Sequence, residues 1–172
     1  MRVRDQIQPE GPGDYAAVDR LLREAFECDA EAVLVQELRS QVTPVVSLVA
    51  TADTEMVGYV MLSPVTIQGP RADCRGMGLG PLAVAHTHRG RGLGGQLVRS
   101  GLNACHQRGF DVAFVLGHPD YYQRFGFQVA APLGLHYRSA ELDPWFLVKE
   151  LSLGRLAGVR GMVRYHRLFN SV

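Results

Sequence analysis

The sequence predicts a mixed α/β fold, with antiparallel strands early in the chain and a strand–helix–strand unit in its middle. Two β-rich runs at 45–50 and 56–65 flank a polar turn and are typical of a hairpin. An apolar segment at 77–85 leads through a glycine-rich loop into an amphipathic helix. A short, continuous apolar run follows at 111–116, as expected for a strand buried on both faces.

The remaining elements follow from spacing and from turn residues. A first strand is expected within Met1–Gln8, and Asp14 can cap the helix that follows it. Apolar residues recur at helical spacing there and again over 30–39, and Gly109 is expected to end the central helix. Pro81 indicates a bulge or a sheet edge. A brief helix is expected at 120–125, and further strands at 127–130, 135–137, 144–151 and 159–166.

The composition is that of an ordinary globular protein. A chain of 172 residues, with 47% hydrophobic and 20% charged residues, predicts a single domain over 1–172. The net charge of +1 gives no reason to expect a nucleic-acid or membrane partner, and no apolar run approaches the length of a membrane span. The three widely spaced cysteines predict reduced thiols in a cytoplasmic protein, and neither disulfides nor a metal site is expected.

The stretch Leu79–Gly95 reads LGPLAVAHTHRGRGLGG and organises the chain. A strand, a glycine loop and a helix beginning at Gln96 form the arrangement that binds phosphate groups. The first N–H groups of a helix have no partner inside it, and the helix dipole adds partial positive charge there. Glycines let an anion approach the backbone, and arginines add charge. The residues expected to bind the anion are Arg89, Gly90, Arg91, Gly92, Leu93, Gly94 and Gly95.

Two nucleotide motifs can be compared with this loop. Gly90-x-Gly92-x-x-Gly95 formally matches the dinucleotide-binding fingerprint, and Asp111 follows at about the expected spacing. In that fold, however, the glycines follow the strand directly and the acidic residue ends the next strand. Here the residues HTHR intervene, and Asp111 precedes its strand. A Walker loop would need a lysine, which this loop lacks. The sequence therefore disfavours a dinucleotide-dependent oxidoreductase.

A second motif pair carries a family resemblance. Arg89-x-x-Gly92-x-Gly94 lies between PLAV and a helix, and YYQRFGF follows at 121–127. Together these motifs resemble the GNAT superfamily of N-acetyltransferases. More narrowly, VLGHPDYYQRFGF and the closing GVRGMVRYH are similar to its YhbS-like bacterial branch. The resemblance implies the GNAT fold: a central, mostly antiparallel sheet with two splayed parallel strands, and helices on both faces.

The resemblance also implies that acetyl-CoA binds between the strands at 79–85 and 111–116. Splayed strands leave backbone groups unpaired, and the peptide-like pantetheine arm can pair with them. The backbone contacts would come from Leu82, Ala83 and Val84, and the loop Arg89–Gly95 would bind the pyrophosphate. His86 and His88 flank the loop without further ligands at metal spacing and are expected to be turn residues.

The implied reaction moves the acetyl group to a primary amine within a ternary complex. An alkylammonium of pKa near 10 costs roughly 4 kcal/mol to deprotonate at pH 7, so a base or a water chain is useful. Tyr122, four residues before Gly126, occupies the position that the family uses to protonate the leaving thiolate. Its alternative role is packing on the CoA arm, and Tyr121 is expected in the core. The residues left open as general base are Glu24, Glu27, Asp29, Glu31, His118 and Asp120.

The acceptor cannot be derived from these residues. The same fold serves small amines and protein amines, so either class of acceptor fits. The alternative function is a catalytically silent module that binds CoA. A homodimer is compatible with the resemblance.

Overall fold

The computed structural model describes residues 6–71 and 73–172, so most of the predicted first strand lies outside the described residues. Over the described part, the longer helices are α1 (Tyr15–Phe26), α2 (Ala30–Gln41) and α3 (Leu93–Gln107), and α4 (Pro119–Tyr122) is a single turn. The strands are β1 (Gln6–Pro9), β2 (Val46–Ala52), β3 (Glu55–Gln68), β4 (Gly76–Val84), β5 (Val112–Leu116), β6 (Gln128–Val129), β7 (Leu135–His136), β8 (Phe146–Glu150) and β9 (Gly161–Arg164).

Contacts divide the chain into two compact units. The first comprises Met1–Leu62, Gly80–Gly101 and Arg167–Val172, and the second comprises Ser63–Leu79 and Leu102–His166. The strands β3 and β4 and the helix α3 contribute residues to both units. The single-domain interpretation stays a prediction.

The first unit contains the predicted hairpin. Strand β1 pairs antiparallel with β2, and β2 pairs antiparallel with β3 from Val46–Leu62 to Ala52–Glu55. Within this unit, glycines let α3 approach β3. A Cβ on Gly58 would stand 2.8 Å from Leu97 Cδ1, and one on Gly101 would stand 2.7 Å from Leu62 Cδ1. A larger residue at either position would force a buried leucine side chain or the helix itself to shift, so these glycines permit the close packing of α3 on β3.

A buried ion pair also belongs to the first unit. Arg39 of α2 pairs with Glu10, whose side chain is 3% exposed. The Ser47 hydroxyl donates to the same carboxylate, and the Tyr59 hydroxyl lies 3.0 Å from Ser47 Oγ. Because each buried polar group here has a partner, the cluster fixes α2 on the sheet without leaving an uncompensated charge.

The second unit contains two parallel pairs, of which β4–β5 is the one that the sequence predicts. Strand β4 pairs parallel with β5 from Gly76–Val112 to Leu79–Val115. Strand β5 pairs antiparallel with β8, which pairs antiparallel with β6, while β9 pairs antiparallel with β3 and parallel with β7. This mixed α/β arrangement, mostly antiparallel with the β4–β5 parallel pair, confirms the predicted fold class.

Pro81 does not mark an edge strand, because β4 has a neighbour on each side, β3 and β5. The β4–β5 ladder ends at Leu79, two residues before Pro81, so the missing proline N–H removes no hydrogen bond from that ladder. The Gly80–Pro81 peptide bond is cis.

Among the described residues, no helix combines the length and hydropathy that a membrane crossing requires.

Candidate functional site

The predicted anion-binding loop lies in the first unit, between β4 and α3. A short 3-10 helix, His86–His88, follows the strand, and the chain reaches α3 through Gly90 (φ +74°) and Gly92 (φ +81°). Residues with a Cβ rarely adopt such positive φ values, so these two glycines are required by the path of the loop. A Cβ on either would meet no heavy atom within 4 Å, so the space beside both is open.

The helix begins earlier than the sequence suggested. It starts at Leu93 rather than at Gln96, so the last two glycines of the loop lie in its first turn. The Gln96 N–H donates to the Gly92 carbonyl over 3.1 Å, which is the first helical hydrogen bond of that type. The N–H groups of Leu93, Gly94 and Gly95 precede it and have no helical acceptor. The Leu93 side chain itself is buried, so this residue can offer a ligand only its backbone.

The side chain of Arg89 turns back toward the strand. Its Nε donates to the Val84 carbonyl oxygen over 3.0 Å. This bond occupies one of the backbone acceptors expected to pair with a pantetheine arm and fixes the strand end relative to the loop. Arg91 is exposed, and its charge lies within the same loop. Leu82 and Val84 are half-buried, whereas Ala83 is buried.

Tyr122 lies in the second unit and ends α4. Its N–H donates to the carbonyl of His118, the residue that precedes the helix, over 3.2 Å. Its ring packs edge-on against Phe127, with centroids 5.7 Å apart. It also lies against Gly117, where a Cβ would stand 2.5 Å from Tyr122 Cε2. Burial raises the pKa of Tyr122 to about 12, with a further contribution from Tyr121, so the phenol keeps its proton at neutral pH.

Tyr121 differs from its expected place in the core. It is half-buried, and the Arg124 guanidinium lies over its ring at 4.7 Å from the centroid. The ring also makes an edge-on contact with Phe125, with centroids 5.4 Å apart. The two adjacent tyrosines therefore have different environments, and Tyr122 has the more confined ring.

The base candidates occupy several kinds of position. Asp29 pairs with Arg23, and Glu31 accepts a hydrogen bond from Cys28 Sγ at 3.0 Å. Glu27 ends α1 in the left-handed conformation, with φ +56°. In the second unit, His118 packs edge-on against Trp145 at 5.3 Å between centroids, and Asp120 is an exposed residue of α4.

Glu24 lines a cavity of about 470 Å³ in the first unit. Arg20 and Glu55 contribute charged groups to the same cavity, and Ala85 and Thr87 contribute the segment that leads into the glycine loop. Of the six candidates, Glu24 is thus the one that shares a described cavity with residues adjoining the predicted phosphate site.

The environment of Asp111 explains why the dinucleotide fingerprint fails. Its carboxylate accepts hydrogen bonds from Arg155 Nε at 2.8 Å and from the Arg75 backbone N–H at 2.9 Å. Burial opposes ionisation, but these two bonds outweigh it and hold the pKa of the Asp111 carboxyl below its usual range. Since the side chain is committed to a structural network, it is not free to bind a ribose.

Two of the three cysteines are buried, and His86 and His88 lie in the short 3-10 helix that precedes the glycine loop. Cys105 is buried on α3, where burial raises its pKa to about 12, and Cys74 is also buried. All three cysteines, including the exposed Cys28, are free thiols. Within residues 6–71 and 73–172, no cluster of His, Cys, Asp and Glu could hold a metal ion.

One feature of β4 in the second unit was not predicted from the sequence. A Cβ on Gly78 would stand 2.6 Å from Tyr165 Cζ, and one on Gly76 would stand 2.9 Å from Val65 Cγ2. Ser63, on β3, is fully buried, and its hydroxyl has no hydrogen-bond partner among the described residues. The signal was the alternation of glycines in GMGLG, because glycines at every second position of a strand indicate a face that a bulky group covers.

Comparisons with known proteins agree with this geometry. Residues 6–130 match the acetyltransferase (GNAT) domain family. The uncharacterized N-acetyltransferase YhbS of Escherichia coli K12 is 42% identical over 171 residues, which cover 99% of each protein. The uncharacterized N-acetyltransferase YjhQ of the same organism is 33% identical over 120 residues, which cover 69% of this chain and 66% of YjhQ.

Two solved structures are similar over nearly the whole chain. The crystal structure of E. coli YhbS in complex with CoA has a TM-score of 0.92 at 42% identity, covering 99% of this chain and 94% of that one. A GNAT family acetyltransferase from Brucella melitensis in complex with acetyl-CoA has a TM-score of 0.79 at 29% identity, covering 98% and 99%. The similarity therefore extends well beyond the glycine loop.

Proposed function

Because the chain belongs to the GNAT family of acetyltransferases, we propose that it moves the acetyl group of acetyl-CoA to a primary amine by direct transfer in a ternary complex. Acetyl-CoA supplies the activated acetyl group. The relatives crystallised with CoA and with acetyl-CoA support this choice of cosubstrate.

The observation that carries the proposal is the loop at the start of α3. Three consecutive N–H groups, those of Leu93, Gly94 and Gly95, have no helical acceptor, and the helix dipole favours negative charge at this end. Two glycines with positive φ leave open space beside the backbone, and Arg91 adds a full charge. This set of donors suits the pyrophosphate of CoA better than an uncharged ligand.

The backbone of Leu82, Ala83 and Val84 would bind the pantetheine arm. The β4–β5 ladder ends at Leu79, before these three residues, so their peptide groups are not used in that ladder. An N–H group in this segment would also stabilise the negative charge that develops on the acetyl oxygen during transfer.

Tyr122 would donate its phenolic proton to the leaving thiolate. Its pKa of about 12 keeps the proton in place until negative charge develops beside it. A free thiol has a pKa near 8.5, which taken alone makes complete transfer from this phenol unfavourable. Desolvation raises the pKa of Tyr122, and it would also raise the pKa of a buried leaving thiol. The difference between the two pKa values would therefore be smaller than these figures suggest.

Glu24 is our proposed carboxylate on the acceptor side. Arg20 and Glu55 line the same cavity. The carboxylates of Glu24 and Glu55 could there balance the positive charge of a bound amine. Replacing Glu24 with glutamine should lower kcat/KM for the amine most strongly at low pH, where more of the amine is protonated. Glu27→Gln, on an exposed helix end, is the matched control.

The direct test combines binding with turnover. Calorimetry with acetyl-CoA measures binding of the cosubstrate. Release of free CoA thiol with a panel of small amines and N-terminal peptides measures acetyl transfer. Tight binding without thiol release for any amine would instead favour a catalytically silent CoA-binding module. No binding of CoA or acetyl-CoA would remove the proposal altogether.

A further inference from the structure

The cavity that Glu24 lines in the first unit carries charges of both signs. It has a volume of about 470 Å³, and Arg20 contributes a guanidinium while Glu24 and Glu55 contribute two carboxylates. Leu21 and Val57 also line it, and both are buried. Buried apolar residues together with a few charged groups are typical of a cavity that binds a small charged molecule.

The three charged side chains of this cavity are not used within the described part of the protein. There, no ion pair or hydrogen bond involves the side chain of Arg20, Glu24 or Glu55. By contrast, Arg23 of the same helix pairs with Asp19, four residues before it, over 2.8 Å. Arg20 and Glu24 have the same spacing in the opposite order, which is the weaker arrangement on a helix. Their charges therefore stay available to a ligand.

One wall of the cavity is fixed next to the glycine loop. The Ala85 N–H donates to the Val57 carbonyl over 2.9 Å, so the start of β3 is bonded to the segment that follows β4. Both residues line the cavity, and so does Thr87, two residues before Arg89. The cavity and the predicted phosphate-binding loop are therefore neighbours within the first unit.

The charges of this cavity select for a ligand that has both signs of charge. Two carboxylates repel a phosphate group, so the cavity does not suit the phosphates of CoA. A polyamine would bring further positive charge beside Arg20 and leave that guanidinium without a counterion. A molecule with one ammonium and one carboxylate group avoids both penalties, because each of its charges can lie beside an opposite one.

We propose that the acceptor is a free amino acid, whose carboxylate binds Arg20 and whose amine is held by Glu24 and Glu55. The inference rests on the proposed function, because it takes this cavity as the acceptor side. A guanidinium binds a carboxylate through two parallel hydrogen bonds, which fixes the orientation of the ligand as well as its charge. An amino acid amide or a peptide N-terminus lacks the carboxylate beside the amine and should be a poorer substrate.

Variants of Arg20 separate this role from a general effect on α1. Arg20→Gln removes the charge, and Arg20→Lys keeps the charge but loses the pair of parallel hydrogen bonds. Arg23→Gln is the matched control, because Arg23 lies on the same helix, pairs with Asp19 and does not line the cavity.

The experiment compares kcat/KM for glycine, alanine and lysine with kcat/KM for their amides, by release of free CoA thiol. The intrinsic reactivities of the two amines cancel when the acid-to-amide ratio is compared between variants. Because Arg20 is exposed and water screens its charge, we expect a ratio of at least about 5-fold in wild type for the preferred amino acid. Arg20→Gln should reduce the ratio below about 2-fold, Arg20→Lys should be intermediate, and Arg23→Gln should preserve it.

Calorimetry gives a second readout that needs no turnover. The preferred amino acid is titrated into protein saturated with CoA, and Arg20→Gln should weaken its binding by at least about 5-fold while leaving the Kd for CoA unchanged.

Equal kcat/KM for acids and amides in wild type, or an unchanged ratio in Arg20→Gln, would overturn the inference and leave the proposed function intact. Weaker CoA binding by Arg20→Gln with an unchanged ratio would assign Arg20 to the cofactor instead. If wild type does not bind CoA, or releases no thiol with any amine, the proposed function fails and the inference fails with it.

Discussion

The ring of Tyr122 packs directly on Gly117, where a Cβ would stand 2.5, 3.1 and 3.5 Å from three of its atoms. Gly117 follows β5, and its N–H donates to the Trp145 carbonyl over 2.9 Å, so the glycine backbone is itself fixed. Phe127 confines the ring from another side. The absence of a side chain at one position thus determines where the proposed acid holds its hydroxyl.

Replacing Gly117 with alanine should displace that ring. The Tyr122 ring is rigid and confined, so relief of the contact requires movement of the hydroxyl, and a displacement of about 1 Å can reduce turnover by about 100-fold. We expect kcat to fall by about 10- to 100-fold, with a smaller change in KM for acetyl-CoA. Gly13→Ala is the control, because a Cβ there meets nothing within 4 Å. It should leave kcat and KM unchanged. Unchanged kcat in a folded Gly117→Ala variant would show that the position of Tyr122 is not critical.

Removing only the Tyr122 hydroxyl tests its chemistry. Tyr122→Phe keeps the ring that packs on Gly117 and Phe127, so acetyl-CoA affinity should change little. The kcat should fall by about 10²–10⁴-fold if the proton is transferred in the transition state. The loss should shrink with a more acidic leaving thiol, which needs less protonation. Tyr121→Phe is the control, and near-normal turnover by Tyr122→Phe would assign protonation to water.

The sequence predicted most elements of this fold because their signals are local. Spacing of apolar residues placed α1 and α2, and the polar turn between β2 and β3 placed the hairpin. The start of α3 was placed three residues late, because glycines disfavour helices by about 1 kcal/mol each and so resemble a loop. In the protein, Gly94 and Gly95 lie within the helix that the rest of its sequence supports.

Long-range contacts could not be predicted in the same way. The contact between Gly78 and Tyr165 joins residues far apart in the chain, and no local pattern indicates which ring covers a strand of alternating glycines. The bond from Arg89 to Val84 was missed because arginines in a glycine loop favour a ligand-binding interpretation over a structural one. The role of Tyr122 came from the family resemblance, whereas the phosphate-binding role of the glycine loop came from its own residues, and both stay predictions.

Gly92→Val tests the phosphate site. The substitution also strains the backbone, because the φ of +81° at this position is unfavourable for valine. Gly154→Val is a matched control, because Gly154 has φ +80°, also has open space beside it, and lies outside the predicted site. Both variants should lose about 1–2 kcal/mol of unfolding free energy through the left-handed backbone. Only Gly92→Val should also abolish acetyl-CoA binding in calorimetry. Equal acetyl-CoA affinity of the two variants would remove the argument for this loop.

The Asp111–Arg155 pair should contribute to stability in a pH-dependent manner. Because the folded pKa of Asp111 lies below its unfolded value near 3.9, the contribution is present above that value and is lost as pH falls through the folded pKa. Asp111→Asn should lower the unfolding free energy by about 1–3 kcal/mol at pH 7. The difference from wild type should narrow below about pH 4. The exposed Asp53→Asn is the control, and a pH-independent difference would show that the charge is not responsible.

The commitment of Asp111 to Arg155 also determines which nucleotide should bind. A dinucleotide site needs an acidic side chain that is free to bind the ribose, and this carboxylate already accepts bonds from Arg155 and the Arg75 backbone. The pyrophosphate of acetyl-CoA or CoA needs no such acidic side chain, because it binds to N–H groups and positive charges. In a thermal shift assay, a ligand at about 100 times its Kd stabilises by roughly 2.7 kcal/mol, which is readily measured. We therefore expect CoA and acetyl-CoA to raise Tm, and NAD and NADP to leave it unchanged. Stabilisation by a dinucleotide without stabilisation by CoA would reverse the order of the two ligands. The GxGxxG match would then indicate a dinucleotide-binding site.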